Sequence, residues 1–182
     1  LNTDVLVTAK KDLTSDLNLV LNVGGSLSKR TAEGFYQFGE NFKIPTKFFL
    51  NNAANLLAPR ETPQATKKVN SAYASASFAY QDFLYVDLTS RNDWSSTLGE
   101  ENRSYTYNSA SVSAVLTRFI DPEQETFNLF KVRAGYAQVG NDTDPYQLSQ
   151  TFDVPGQGYF GLTTLSAPSI KLNPDLKPEQ VT

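Results

Sequence analysis

The chain has 182 residues and a formal net charge of -3, with no His, Cys or Met but 9 Tyr and 12 Phe. Without His or Cys there is no Ser-His-Asp triad, thiol nucleophile or usual zinc site, so no catalytic residue, metal or cofactor is assigned and no enzyme is expected. The acidic balance offers no basic stripe to neutralise phosphates, which argues against nucleic acid as a partner.

Leu1 already stands inside a polar/apolar alternation, and with Met absent the chain reads as a piece of a longer polypeptide. No stretch approaches the roughly 18 apolar residues of a membrane helix, and no signal peptide opens the chain. Strands that cross a membrane need only alternate over ~10 residues, which a negative mean hydropathy does not exclude.

Period-two alternation predicts six strands, near 1–10, 17–26, 69–80, 83–92, 104–116 and 128–140. In the first, Asp4 and Lys10 oppose Val5, Val7 and Ala9. Late in the second, Gly24-Gly25 predicts a bulge or bend near a rim, or else the start of a loop. The third sets Ala72, Ala74, Ala76, Phe78 and Tyr80 against Ser71, Tyr73, Ser75 and Ser77. In the fourth, Leu84, Val86 and Leu88 alternate with Tyr85, Asp87, Thr89 and Arg91. In the sixth, Lys131 and Arg133 alternate against Phe130, Val132, Ala134 and Tyr136. Aromatic pairs mark strand ends at Tyr80 with Phe83, Tyr105 with Tyr107, and Phe127 with Phe130. They suit an interfacial girdle, although strand propensity alone also accounts for any one of them.

A soluble β-sandwich shows the same alternation. Length favours the other reading: ten residues at about 3.3 Å each, tilted near 45°, cover about 23 Å, close to the ~25 Å apolar band of an outer-membrane barrel. Soluble strands average about 5 to 6 residues, and Ala or Thr on the apolar face would pack a sandwich core poorly. Connections alternate in length. Those at 11–16, at Gln81-Asp82 and around Asp121-Pro122-Glu123 are short or moderate, whereas long loops are expected at about 31–68, 93–103 and 141–179. Barrels of this kind keep short turns in the periplasm and long loops outside, so odd-numbered predicted strands run inward. Six strands cannot close such a barrel, whose smallest members have eight.

Three blocks carry a resemblance. The run from Tyr73 to Tyr80 continues through Phe83 into Arg91-Asn92-Asp93-Trp94-Ser95. Gly140-Asn141-Asp142-Thr143-Asp144-Pro145-Tyr146 and Leu176-Lys177-Pro178-Glu179 follow in order. Together they resemble the SusC/RagA family of TonB-dependent outer-membrane transporters over roughly 69–182, and only loosely before that. The resemblance implies an all-β fold of antiparallel up-and-down strands, forming part of a transmembrane barrel of about 22 strands with long extracellular loops. It further implies a location in the bacterial outer membrane, energising by TonB through regions outside this chain, and a SusD-like surface lipoprotein acting as a lid. The cargo it implies is a glycan or peptide.

Transport needs surfaces rather than reactive groups. The first long loop is expected to present Phe35, Tyr36, Phe38, Lys43, Phe48, Phe49, Asn51 and Asn52, the second Trp94, and the third Tyr146, Tyr159 and Phe160. Aromatic faces beside amides suit sugar rings or peptide backbones, and equally suit packing between loops or against a lid. Asp87, Arg91, Lys131 and Arg133 are expected to face the lumen, where charges also pair with a plug or with one another. Asn141, Asp142 and Asp144 offer calcium-type oxygen ligands, but their density better suits a turn that caps backbone groups. Glu100 and Glu101 read as solvated loop charge, since sequence neighbours do not establish the fixed separation of an acid/base pair. The alternative function is a soluble all-β glycan-binding or adhesion module.

Overall fold

The computed structural model describes residues 1–120, 128–152, 154, 160 and 162–182. Within these lie β1 (Asn2–Asp12), β2 (Leu17–Tyr36), β3 (Gly39–Phe42), β4 (Ala53–Leu56), β5 (Arg60–Tyr80), β6 (Leu84–Ser95), β7 (Ser104–Val115), β8 (Lys131–Ala137), β9 (Val139–Asn141) and β10 (Glu179–Val181). A single helical turn, α1, spans Thr117–Ile120. Six strands form one antiparallel sheet in the order β1-β2-β5-β6-β7-β8, and the β3–β4 and β9–β10 pairs are separate ribbons. The fold is therefore all-β and up-and-down, as the alternation predicts. The 121–123 turn and Phe127 of the expected girdle lie outside the described residues.

The connections 13–16, 81–83 and 116–130 lie at one end of this sheet, the turn end, and 37–59 and 96–103 at the other, the loop end. At the turn end, Gln81 and Asp82 both take positive φ, 45° and 55°, and Phe83 N–H donates to the Tyr80 carbonyl at 3.1 Å. Two successive left-handed residues are the type I′ geometry, whose twist matches that of the flanking strands. At the loop end the expectation needs correction. Residues 31–68 are not one loop, because β2 runs on to Tyr36 and β5 begins at Arg60, giving strands of 20 and 21 residues. Lys29, Arg30 and Thr31 pair with Lys68, Lys67 and Thr66 there, so polar residues occupy both faces and leave no apolar stripe to read. The pairing shifts between Ala32 and Gly34, opposite the stretch holding Pro63, where a strand tolerates a residue that cannot donate. Gly24-Gly25 makes no bulge, since its register with β1 and β5 is unbroken.

Register brings every apolar stripe to the same side. One rung reads Ala9–Leu21–Ala76–Leu88–Ala110–Tyr136, and the next toward the turn end reads Lys11–Leu19–Phe78–Val86–Val112–Ala134. The opposite face carries Asp4, Lys10, Asp87, Arg91, Asp93, Lys131 and Arg133 among Ser, Thr and Asn. Val7 is 66% exposed, Val23 51% and Val132 50%, so among the described residues nothing packs across the apolar face. Most buried side chains of the sheet lie at the loop end and are polar, Ser71, Asp93, Ser95 and Thr97 with Leu98 and Tyr105, while Thr117 is buried at the turn end and Asn52 and Ala53 beside the β3–β4 ribbon. Among the described residues no second layer covers the apolar face of this sheet.

Candidate functional site

The polar face is a hydrogen-bonded wall. Across one rung Thr8 Oγ1 donates to Asn22 Oδ1 at 2.7 Å, Asn22 Nδ2 donates to Ser75 Oγ at 3.1 Å, and the Thr89 and Ser109 hydroxyls meet. One rung toward the turn end, Asp87 accepts from Ser77 at 2.6 Å and from Ser111 at 3.3 Å. Lys131 Nζ lies 5.5 Å from the Tyr85 ring centroid, and Arg133 stands across from Ser113. Asp87, Arg91, Lys131 and Arg133 all sit on this face, and a cleft of about 400 Å³ brings Asp87, Lys131 and Arg133 together.

Toward the loop end, Arg91 Nε donates to Asp93 Oδ1 at 2.8 Å and an Nη to Ser71 Oγ at 2.9 Å, with its guanidinium 5.8 Å from the Tyr73 ring centroid. Tyr107 completes the group by donating to Asp93 Oδ2 at 2.8 Å. Tyr73 can lie across β2 only because residue 24 is Gly: a Cβ there would stand 2.7 Å from the ring and 2.6 Å from the Val5 carbonyl oxygen. This close approach, rather than a bulge, is what Gly24 provides. Tyr105 and Tyr107 stack at 6.2 Å on the polar face, so they are not part of an outer girdle.

Sequence reasoning missed the centre of this end, the carboxylate of Asp142, whose side chain is 6% exposed. It accepts from Lys67 Nζ, from Ser95 Oγ and, at 3.2 Å, from Thr97 Oγ1. Burial pushes this carboxyl up, but the Lys67 and Ser95 hydrogen bonds, the Lys67 charge and Thr97 outweigh it and hold it below the ordinary value. Asp142 therefore neither caps its own turn nor stands ready beside Asn141 and Asp144 as a cation ligand; it ties a loop to two distant strands. Its signal in the sequence was only its place within a Gly-Asn-Asp-Thr-Asp run, which reads as turn chemistry. Glu100 pairs with Arg103 at 3.8 Å on the exposed surface and belongs to no acid/base constellation.

The aromatic candidates do not form one site. Phe35, 77% exposed, and Tyr36 end β2 instead of lying in a loop; Phe38 follows, its ring 5.5 Å from that of Tyr36. Trp94 is in β6 on the apolar face, paired between Asn70 and Ser104 near the loop end, not in the second loop. That position suits an interfacial anchor better than a ligand contact. Tyr146, φ 64°, is exposed and its hydroxyl donates to the Gln64 carbonyl at 3.3 Å. Phe160 is exposed at a distance in the chain from these, and Tyr159 lies outside the described residues.

The described residues thus form an antiparallel all-β meander with one apolar and one polar face. Solved structures carry the same fold: the RagAB peptide transporter matches with a TM-score of 0.79 at 19% identity over 98% of this chain. The RagAB peptide importer in its closed-closed and open-open states matches with TM-scores of 0.79 and 0.76, again at 19% identity. The chain spans 20% of the length of each of these chains. No family model matches it, and no curated protein does.

Proposed function

We propose that this chain is part of the wall of a TonB-dependent outer-membrane transporter of the SusC/RagA type, importing peptides, with a SusD-like lipoprotein as its lid. One observation carries the membrane assignment: the apolar stripe crosses the sheet diagonally. On β1 it is centred at Val7, a rung that turns polar at Ser90 and Asn108; on β8 it is centred at Ala134, whose rung meets Lys11 on β1. The shift is about four residues, or ~13 Å, over five strand spacings of ~4.8 Å, a slope on the order of 30°. A flat hydrocarbon slab cutting tilted strands produces such a slope, and barrel strands tilt by ~35–45°. A second sheet packed at about 30° would slope the stripe too, but it would also bury it, and Val7, Val23 and Val132 stand at least half exposed.

Passage then runs along the hydroxyl-rich face, with long loops outside and short turns in the periplasm. The peptide cargo is favoured by the description of the matched structures; an oligosaccharide is the other outcome of the test. Phe35, Tyr36, Phe38, Tyr146, Tyr159 and Phe160 are the proposed cargo or lid contacts. Cells expressing the full-length protein should place it in the outer-membrane fraction as a heat-modifiable band and take up labelled peptides in a TonB-dependent way. Recovery as a soluble periplasmic protein would end the proposal, and uptake of oligosaccharides alone would change the cargo. A soluble adhesion module is not favoured, because the apolar face is open.

A further inference from the structure

After β8 the chain turns over the polar face. Gln138 N–H still donates to the Asn108 carbonyl at 2.9 Å, but β9 then lies against Tyr105 and Tyr107. Gly140 permits this, since a Cβ there would be 2.7 Å from the Tyr105 ring and 3.2 Å from Tyr107. From Asn141 the backbone crosses β7 and β6, and Asp142 reaches Ser95 of β6 and Lys67 of β5. Lys67 also donates to the Thr143 carbonyl at 3.4 Å, and Tyr146 reaches the Gln64 carbonyl of the same strand. On its other side this segment is paired along β9 with β10, Glu179 opposite Asn141. Residues 138–146 therefore lie over three strands, about 14 Å measured across the sheet.

We infer that residues 138–146 form a fixed strap across the outer mouth of the passage, latched by Asp142, and that this strap limits the girth of what enters. The inference rests on the transporter reading for its orientation. Chain laid on a sheet face occupies a layer ~10 Å deep, so the strap removes that depth from the clear space above β5–β7. Its fixity follows from burial: Ser95 and Thr97 are each 2% exposed, and lifting the strap leaves their hydroxyls only each other while it strips the Asp142 carboxylate of Lys67 and of both hydroxyls. The strap is thus part of the wall's resting shape rather than a loose loop.

This chain contains no cysteine, which makes introduced thiols its only ones. In full-length protein on intact cells, the 138–146 segment should resist added protease, read by mass spectrometry of the released peptides, and Asp142→Asn should be cut there; equal cleavage of both would overturn the strap. Ser111→Cys then places a thiol on the polar face, on the turn-end side of the strap. Maleimides of increasing size, added outside, should label it only below a size limit, and adding Asp142→Asn should raise that limit several-fold in reagent mass. Should Asp142→Asn fail to assemble, Ser95→Ala with Thr97→Ala releases the same carboxylate from its other side. An unchanged limit in the released protein overturns the inference. Peptide uptake is measured separately, so a wild-type protein that labels as expected but imports nothing would sink the transporter reading and spare the strap.

Discussion

Ala76 and Ser75 are neighbours in β5 but stand on opposite faces, Ala76 between Leu21 and Leu88, Ser75 between Asn22 and Thr89. A lysine placed at each asks what either face touches. At Ala76 the ammonium enters hydrocarbon near the middle of the apolar stripe, which costs about 2–4 kcal/mol for a basic residue at the midplane. At Ser75 the ammonium stays wet, and the loss is the hydrogen bond accepted from Asn22, about 0.5–1.5 kcal/mol. The expected gap of about 0.5–3.5 kcal/mol is a factor of roughly 2 to 300 in the ratio of folded to unfolded protein. Urea titration of the full-length barrel in liposomes, followed by its heat-modifiable band, reads that ratio directly. If Ser75→Lys proves as costly as Ala76→Lys, the faces have been assigned to the wrong media.

Four further outcomes follow from individual contacts. Gly24→Ala should destabilise by about 1–3 kcal/mol in the same titration, and Tyr73→Ala should rescue only part of it, because the clash with the Val5 carbonyl remains. Gln81→Gly should stabilise by roughly 0.4–1 kcal/mol, since Gln81 holds φ 45° at a cost that glycine does not bear. The Asp142 carboxyl is lowered in the folded state, so its contribution is complete above its unfolded value and is lost as pH falls through the folded one. Protease protection of the 138–146 segment should therefore fade on acidification, and Asp142→Asn should flatten that dependence. Trp94 should be quenched by lipids brominated near the headgroup more than by those brominated at the chain ends; the reverse ranking would remove it from the interface.

The six strands were legible because an apolar face and a polar face impose period two on the residues that form them. Val5 to Ala9, Ala72 to Tyr80 and Leu84 to Leu88 show it without ambiguity, and their pairing follows the chain order. Where both faces meet water the signal stops, although the strands continue. Thr31 to Tyr36 and Arg60 to Lys68 therefore read as loop, which puts Phe35 and Tyr36 one element too late. Trp94 reads wrongly for the opposite reason: an Asn-Asp-Trp-Ser block looks like loop chemistry, but three further residues of ladder carry β6 through it. Gly24 and Gly140 illustrate a third limit. Each glycine is explained by a tyrosine on another strand, Tyr73 and Tyr105, and that relation exists only in the register.

Asp142 is the hardest of these to read because its partners are 75, 47 and 45 residues away in sequence. A carboxylate buried among a lysine and two hydroxyls is costly to form and costly to break, and such a site specifies one loop position over others rather than adding much net stability. The same sheet thus uses its two faces for different ends. Its apolar side, on which no described residue packs, should tolerate wide substitution among Ala, Leu and Val. Its polar side at the loop end depends on particular atoms, Lys67 Nζ, Ser95 Oγ and Thr97 Oγ1, because the strap must meet all of them at once. Substitutions that conserve hydrophobicity should therefore be mild across the apolar stripe, whereas even Lys67→Arg or Ser95→Thr at the latch should loosen 138–146.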